Sequence, residues 1–229
     1  MSRRTQLLVA SLLAAPSLCA ADRGTRGSQA TPAAVRLPAP RPAGRGSVEE
    51  ALRRRRSLRE WSDAALSMEE ASQLLWAAQG LTAKDGRRTA PSAGALYPVE
   101  VSLVAGRVEG LPAGVYRYRP EGHVLEPVLP GDRRRELAEA ALGQTWLRGA
   151  PASLVVAGVY ERTARKYGGR AKRYVQIEAG AVAQNVALQA VALGLGTVVV
   201  GAFDDAAVAR SAGLAPEERP LAILPVGRE

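Results

Sequence analysis

Four segments of this 229-residue chain carry residue types at spacings that could do chemistry. The run Arg53-Arg54-Arg55-Arg56-Ser57-Leu58-Arg59 sets guanidinium groups and a hydroxyl close together, and arginine forks match phosphate oxygens. The same run also reads as a solvated helix end whose cations complement the C-terminal dipole. The second segment, Ala90-Pro91-Ser92-Ala93-Gly94-Ala95-Leu96-Tyr97-Pro98, combines small residues that let backbone approach a flat ligand with prolines that stiffen the loop. A plain connecting loop is the alternative, although few charges and the presence of Leu96 and Tyr97 are unusual for one. In the third, Val198 to Asp205, an apolar run opens into a glycine turn and a helix start. Backbone N–H groups at such a strand end can hold a ring system edge-on and offer a donor to its reactive nitrogen. The fourth, Leu224-Pro225-Val226-Gly227-Arg228, adds a cation after a closing strand.

Other chemistries are excluded. Gly194-x-Gly196 follows a helix and precedes a strand, the reverse of a dinucleotide fingerprint, and no P-loop occurs. A single cysteine, Cys19, cannot build a disulfide framework. The lone His123, in a turn between strands, reads as a surface residue and leaves neither a hydrolytic triad nor a zinc site to assemble. Hydrophobic residues at 47% and charged residues at 23% exclude a mostly disordered chain and a polytopic membrane protein. The formal charge of +9 is misleading for the fold. Within residues 1–46 seven arginines stand against Asp22, giving +6, and 24 basic against 21 acidic side chains beyond them leave +3. A rival reading, a basic module for nucleic acid or another anion built on Arg53–Arg59, lacks both the charge and an aromatic stacking platform.

The elements that must position these segments can be read in outline. Residues 7–20 form an apolar stretch of signal-peptide length, too short to span a bilayer, behind Arg3 and Arg4. Residues 1–21 are therefore expected to be an export signal, Sec or twin-arginine, sending the protein out of the cytoplasm. Residues 22–46, rich in Pro, Gly, Ala and Arg, read as a flexible linker, and the domain is expected to span 47–229. Capping boxes at Ser47–Glu50 and Ser67–Glu70 open two helices, the second stopped by Gly80. Strands are expected at 99–103, 115–118, 124–129, 152–160, 197–200 and 221–226, with helices over 132–142 and from Asp204. The longest helix, Tyr174 to Leu193, is small and apolar around most of its girth and should be buried on several sides. The mixture without strict alternation favours an α+β domain.

Taken in order, the R-R-S-x-R start (Arg55, Arg56, Ser57, Arg59), P-S-A-G-A-L-Y-P, Y-V-Q-I-E-A-G-A-V-A-Q-N, G-L-G-T and V-G-A-F-D-D resemble the flavin-dependent nitroreductase superfamily, specifically its SagB-type dehydrogenase branch. The resemblance covers about residues 47–228. It implies a central, mainly antiparallel sheet flanked by helices, a long buried helix that forms a homodimer, and FMN in clefts at the subunit interface. Arg55, Ser57 and Arg59 would hold the phosphate and ribityl chain within a cofactor-binding start that includes Arg56, and Arg228 would assist the phosphate. Ser92, Ala93 and Gly94 would line the flavin from the partner chain, and Val200 and Gly201 would present backbone near N5. Ala95 and Tyr97 stand where many nitroreductases have Asn and Gln, which leaves edge contacts there to backbone. The branch includes azoline oxidases, whose sites resemble this chain at Lys166-Tyr167, a pair suited to removing a ring proton; a solvated loop over 165–173 is the other reading of that pair. The expectation is an FMN-dependent oxidoreductase moving hydride between flavin and a small organic or peptide substrate, with NAD(P)H a transient visitor. Azoline oxidation is the narrower alternative.

Overall fold

The computed structural model describes residues 33–44 and 46–229; the expected export signal over 1–21, Cys19 included, lies outside the described residues. Residues 152–158, Ala-Ser-Leu-Val-Val-Ala-Gly, form a strand buried at every position, as a central strand covered on both faces must be. This is β5 (Ala152–Gly158), flanked by β2 (Val99–Ala105) and β7 (Arg219–Gly227). The sheet runs β1-β4-β3-β2-β5-β7-β6 and every ladder in it is antiparallel. Its outer members are β1 (Val35–Arg36), β3 (Gly114–Arg119), β4 (Val124–Pro130) and β6 (Gly196–Thr197).

Alternation along the central strands sends side chains into two cores. Leu154 and Val156, with Leu103 and Leu224, face α2 (Met68–Gln79) and α5 (Ala171–Ala192). Val155, Val104 and Ile223 face α3 (Arg134–Ala140) and α6 (Asp205–Ser211). The long helix α5 buries Val175, Ala179, Val182, Val186 and Ala190 at helical spacing while Ile177 on its other side is 64% exposed. Gly158 lets α5 come down on the sheet, since a Cβ there would stand 2.6 Å from Val175 Cγ1. Ser67 and Glu70 form the full reciprocal box at the start of α2.

The structure departs from the expected elements at four places. Ser47 caps α1 (Val48–Arg54), but Glu50 turns to Arg53 instead of reaching back, so that box is half formed. Within the segment expected to be a flexible linker over 22–46, described residues are built into the fold: β1 pairs with β4, Leu37 is buried, and Arg41 exchanges backbone hydrogen bonds with the Gln73 amide. Pairing to a sheet edge offsets the entropy that composition alone counts against such a segment. The buried strand expected over 197–200 stops at Thr197, and Val199 is 54% exposed. The stretch read as a solvated loop over 165–173 belongs instead to α4 (Tyr160–Tyr167), a 3₁₀ turn and the first turn of α5. No helix among the described residues is long and apolar enough to cross a membrane.

Candidate functional site

The arginine run ends α1 and then travels along the sheet. Arg55 caps the helix in an extended conformation, and Ser57 forms a parallel bridge to Thr197, with Leu58 N–H donating to the Thr197 carbonyl at 3.1 Å. Thr197 lies opposite Val226 and Gly196 opposite Gly227, so Ser57 and the Gly227-Arg228 end of β7 meet β6 from its two sides. Gly196 is required here, because any Cβ would stand 2.5 Å from the Leu58 side chain. Each cation in the group has its own fate. Arg56 folds back onto the Arg53 and Arg55 carbonyls at 2.9 and 2.8 Å, satisfying the helix end. Arg228 is paired with Glu70 and also donates to the Ala65 carbonyl. Arg59 lies over the Trp146 ring, 5.7 Å from its centroid. Neither Arg55 nor Arg59 makes an ion pair among the described residues.

The Ala90–Pro98 loop is tightly built. Ser92 Oγ accepts from Tyr97 N–H at 2.8 Å, and Ala93 N–H donates to Glu178 Oε1 on α5 at 2.8 Å. Gly94 takes φ +64°, and Ala95 and Tyr97 are left-handed at +55° and +45°, strain that an L side chain adopts only when its surroundings force it. The Arg88 guanidinium stacks on the Tyr97 ring at 4.6 Å, while Arg162 donates to the Tyr97 carbonyl and pairs with Glu100 at 2.7 Å. Lys166 and Tyr167 occupy the last turn of α4 and reach this loop: a Cβ on Gly94 would stand 2.9 Å from Lys166 Nζ and 2.8 Å from Tyr167 Oη. Tyr167 meets Tyr174 of α5 edge-on at 5.1 Å. A cavity of about 270 Å³ opens beside the loop, lined by Pro91, Ser92, Ala93, Tyr174, Ile177 and Glu178.

The turn after β6 is pinned from both sides. Val200 exchanges both backbone hydrogen bonds with Ile223 at 2.9 Å, which ties it to β7. Gly201 is exposed, and its N–H has no partner among the described residues. Gln144 donates to the Ala202 carbonyl at 3.1 Å, and Asp204 N–H donates to Ala140 while its carboxylate caps α6. His123 is not the surface residue that its turn suggests. It is half-buried and bonded to Ser72, Tyr118 and the Pro38 carbonyl.

The predicted residues thus gather in two groups. Arg55, Ser57, Arg59 and Arg228 lie near β6, which follows the C-terminus of α5. Ser92, Ala93, Gly94, Lys166 and Tyr167 lie at the opposite end of α5, a helix of 22 residues and hence roughly 33 Å long. Two residues were missed from sequence. Arg162 was hidden by the unrecognised α4, whereas Glu178 was legible as an acidic side chain in line with the buried Val175–Val182 stripe.

An antiparallel α+β sheet crossed by one long helix is the architecture of a nitroreductase-like fold. The chain belongs to the nitroreductase family, whose model matches residues 52–228. It is 47% identical over 182 residues to the nitroreductase-like protein MJ1384 of Methanocaldococcus jannaschii, covering 80% of this chain and 91% of that one. It is 34% identical over 143 residues to the microcin B17-processing protein McbC of Escherichia coli, spanning 60% of this chain but only 52% of McbC. The solved structure of a nitroreductase-like protein from Ralstonia eutropha superposes with a TM-score of 0.75 at 30% identity, over 96% of both chains. The protein is a nitroreductase-family oxidoreductase.

Proposed function

We propose that this protein is an FMN-dependent oxidoreductase that works as a homodimer, in which one protomer's arginine edge and the partner's Pro91–Pro98 loop enclose each flavin. The observation that carries the reading is the pair of arginines, Arg55 and Arg59, without carboxylate partners beside Ser57. Charge-assisted bonds from two guanidinium groups suit a phosphate, and the Ser57 hydroxyl suits the ribityl chain. Arg228 supports the phosphate indirectly, since Glu70 already neutralises it. Roughly 33 Å of helix between the arginine edge and the Lys166–Tyr167 end favours assembly from two chains, with the exposed Ile177 face of α5 as the contact. The unpartnered Gly201 N–H is the donor suited to the flavin edge, in place of Val200.

FMN held by Arg55, Ser57 and Arg59 would supply the two-electron acceptor for a hydride. The chain's own residues then need to hold the substrate and accept a proton. Lys166 Nζ, 5.5 Å from the Tyr167 ring centroid, and Tyr167 Oη form a polar pair against Gly94 that can take the proton a substrate carbon loses when its neighbour loses hydride. That pair, together with the likeness to McbC, favours azoline rings in a peptide as a second, narrower reading of the substrate. An export signal over residues 1–21 would carry a folded, flavin-loaded protein outward, and the mass of the mature N-terminus tests it.

Purified protein is expected to be yellow, with a flavin spectrum that a reductant bleaches. Replacing both Arg55 and Arg59 by alanine should weaken FMN binding about a hundredfold or more, from about 1.5–3 kcal/mol per charged hydrogen bond. Protein that stays colourless after incubation with FMN overturns the assignment.

A further inference from the structure

Glu178 is a carboxylate on the buried face of a helix otherwise built there from Val and Ala. It is 5% exposed, and burying a carboxylate costs several kcal/mol unless partners offset it. Its Oε1 accepts from Ala93 N–H at 2.8 Å, while Oε2 has no hydrogen-bond partner. Burial pushes its pKa up, and the Ala93 amide and Ser92 hydroxyl pull it back down. Tyr174 stands four residues earlier on α5, hence on the same face, and meets the Tyr167 ring edge-on. One helix face therefore grips both the loop, through Glu178, and the reactive pair, through Tyr174. Between these two holds lies Gly94, left-handed and without a Cβ, in the space where Lys166 Nζ and Tyr167 Oη converge.

We propose that Glu178 is the positioning residue of the Lys166–Tyr167 pair: by holding Ala93 N–H it fixes the left-handed turn at Gly94 as the wall against which Lys166 Nζ and Tyr167 Oη are set. This rests on reading that pair as the proton acceptor of the reaction. Glu178 reaches the pair only through the loop, so it is not itself a catalytic residue. Without its carboxylate the loop keeps only its internal bonds, Tyr97 N–H to Ser92 Oγ and Ala95 N–H to the Ser92 carbonyl, and Ala93 N–H loses its anchor to α5.

The test begins on flavin-free protein, so its outcome does not depend on turnover. Amines are acetylated with limiting acetic anhydride and mapped by peptide mass, with the exposed Lys172 as the internal standard. Glu178→Ala is expected to raise the Lys166 to Lys172 labelling ratio several-fold as the Gly94 wall loosens. Glu178→Gln, which keeps an oxygen for Ala93 N–H, is expected to restore it. Tyr174→Ala, which removes the other hold without touching a buried charge, should shift the ratio in the same direction and keeps the test usable if Glu178→Ala fails to fold. In flavin-loaded protein, Glu178→Ala should lower kcat about tenfold or more with little change in KM, and Glu178→Gln should recover it. Added to Lys166→Met it should lower kcat no further. A ratio unchanged by both Glu178→Ala and Tyr174→Ala, or a full Glu178→Ala loss persisting on Lys166→Met, overturns the proposal. A shifted ratio in a protein that binds no flavin would leave Glu178 as proposed and remove the enzymatic reading instead.

Discussion

His123 illustrates how one side chain's hydrogen bonds fix its charge. Burial raises the Tyr118 phenol well above its ordinary pKa, so Tyr118 stays protonated and donates its hydrogen to His123 Nδ1 at 2.9 Å. Nε2 then carries the ring proton, 3.0 Å from the Pro38 carbonyl, and the Ser72 hydroxyl donates to the same carbonyl at 2.6 Å. Adding a second ring proton would strip the phenol of its acceptor, and burial already holds the imidazole below its ordinary 6.5. The unfolded chain takes up that proton near 6.5 and the folded chain only at lower pH, so between the two values the unfolded state binds more protons. Stability must therefore fall as pH drops below about 6.5. His123→Asn, which tolerates the +51° φ of this position, should cost about 1–3 kcal/mol at neutral pH and remove this part of the slope. Melting temperatures of both proteins from pH 8 to 5 measure it, and parallel curves would refute the assignment.

Between elements, the corresponding device is the ion pair of Arg117 on β3 with Glu218 in the turn before β7. Both side chains are 7% exposed, the two nitrogen–oxygen contacts are 2.5 and 2.6 Å, and Ala215 N–H adds a third bond to the carboxylate at 2.8 Å. Removing one partner strands a buried charge, so Glu218→Ala should cost about 3–5 kcal/mol, whereas Arg117→Met with Glu218→Leu should regain most of it. Urea unfolding of the three proteins decides, and equal losses in the single and double variants would contradict the argument. Elements like these divide by how visible they are in sequence. The strands around Val101 and Leu154 and the helix carrying Val175, Val182 and Val186 were legible because burial writes itself as apolar periodicity. Helix α4, Tyr-Glu-Arg-Thr-Ala-Arg-Lys-Tyr, was not, because its eight residues bury only Thr163 and have no apolar stripe to read. Val198-Val199-Val200 misled in the other direction: its apolar run looks like a strand, but only Val200 pairs with β7 beyond β6, through a single bridge to Ile223. Within the site, the arginines and the small-residue loop could be found from residue type. The separate fates of Arg59 and Arg228 depend on partners distant in sequence, Trp146 and Glu70.

At the scale of the whole molecule, the lesson concerns where the fold begins. A chain starting at Ser47 retains all the residues matched by the family model, yet it loses β1 and the strap behind it. Val35 and Arg36 cover the open edge of β4 opposite Leu125 and Val124, and Leu37 N–H bonds the His123 carbonyl at 3.1 Å. Leu37 itself is 5% exposed within the core shared by α2 and α5, where burial of a leucine is worth about 1.5–3 kcal/mol. The Gln73 amide, bonded to both backbone groups of Arg41, would be left half-satisfied, and Ser72 and His123 would lose the Pro38 carbonyl. Losing these bonds would cost about 1 kcal/mol each on top of the leucine. For a body of this size each kcal/mol moves the midpoint by about 2–4 °C, so truncation to Ser47 should lower the melting temperature by more than about 10 °C relative to a chain starting at residue 33. It should also bare the edge of β4 at Val124 and Leu125, lengthening its unpaired stretch, and so promote association through β4. Calorimetry and light scattering on the two chains read both effects, and identical melting with no added association would show that the strap contributes nothing to the fold.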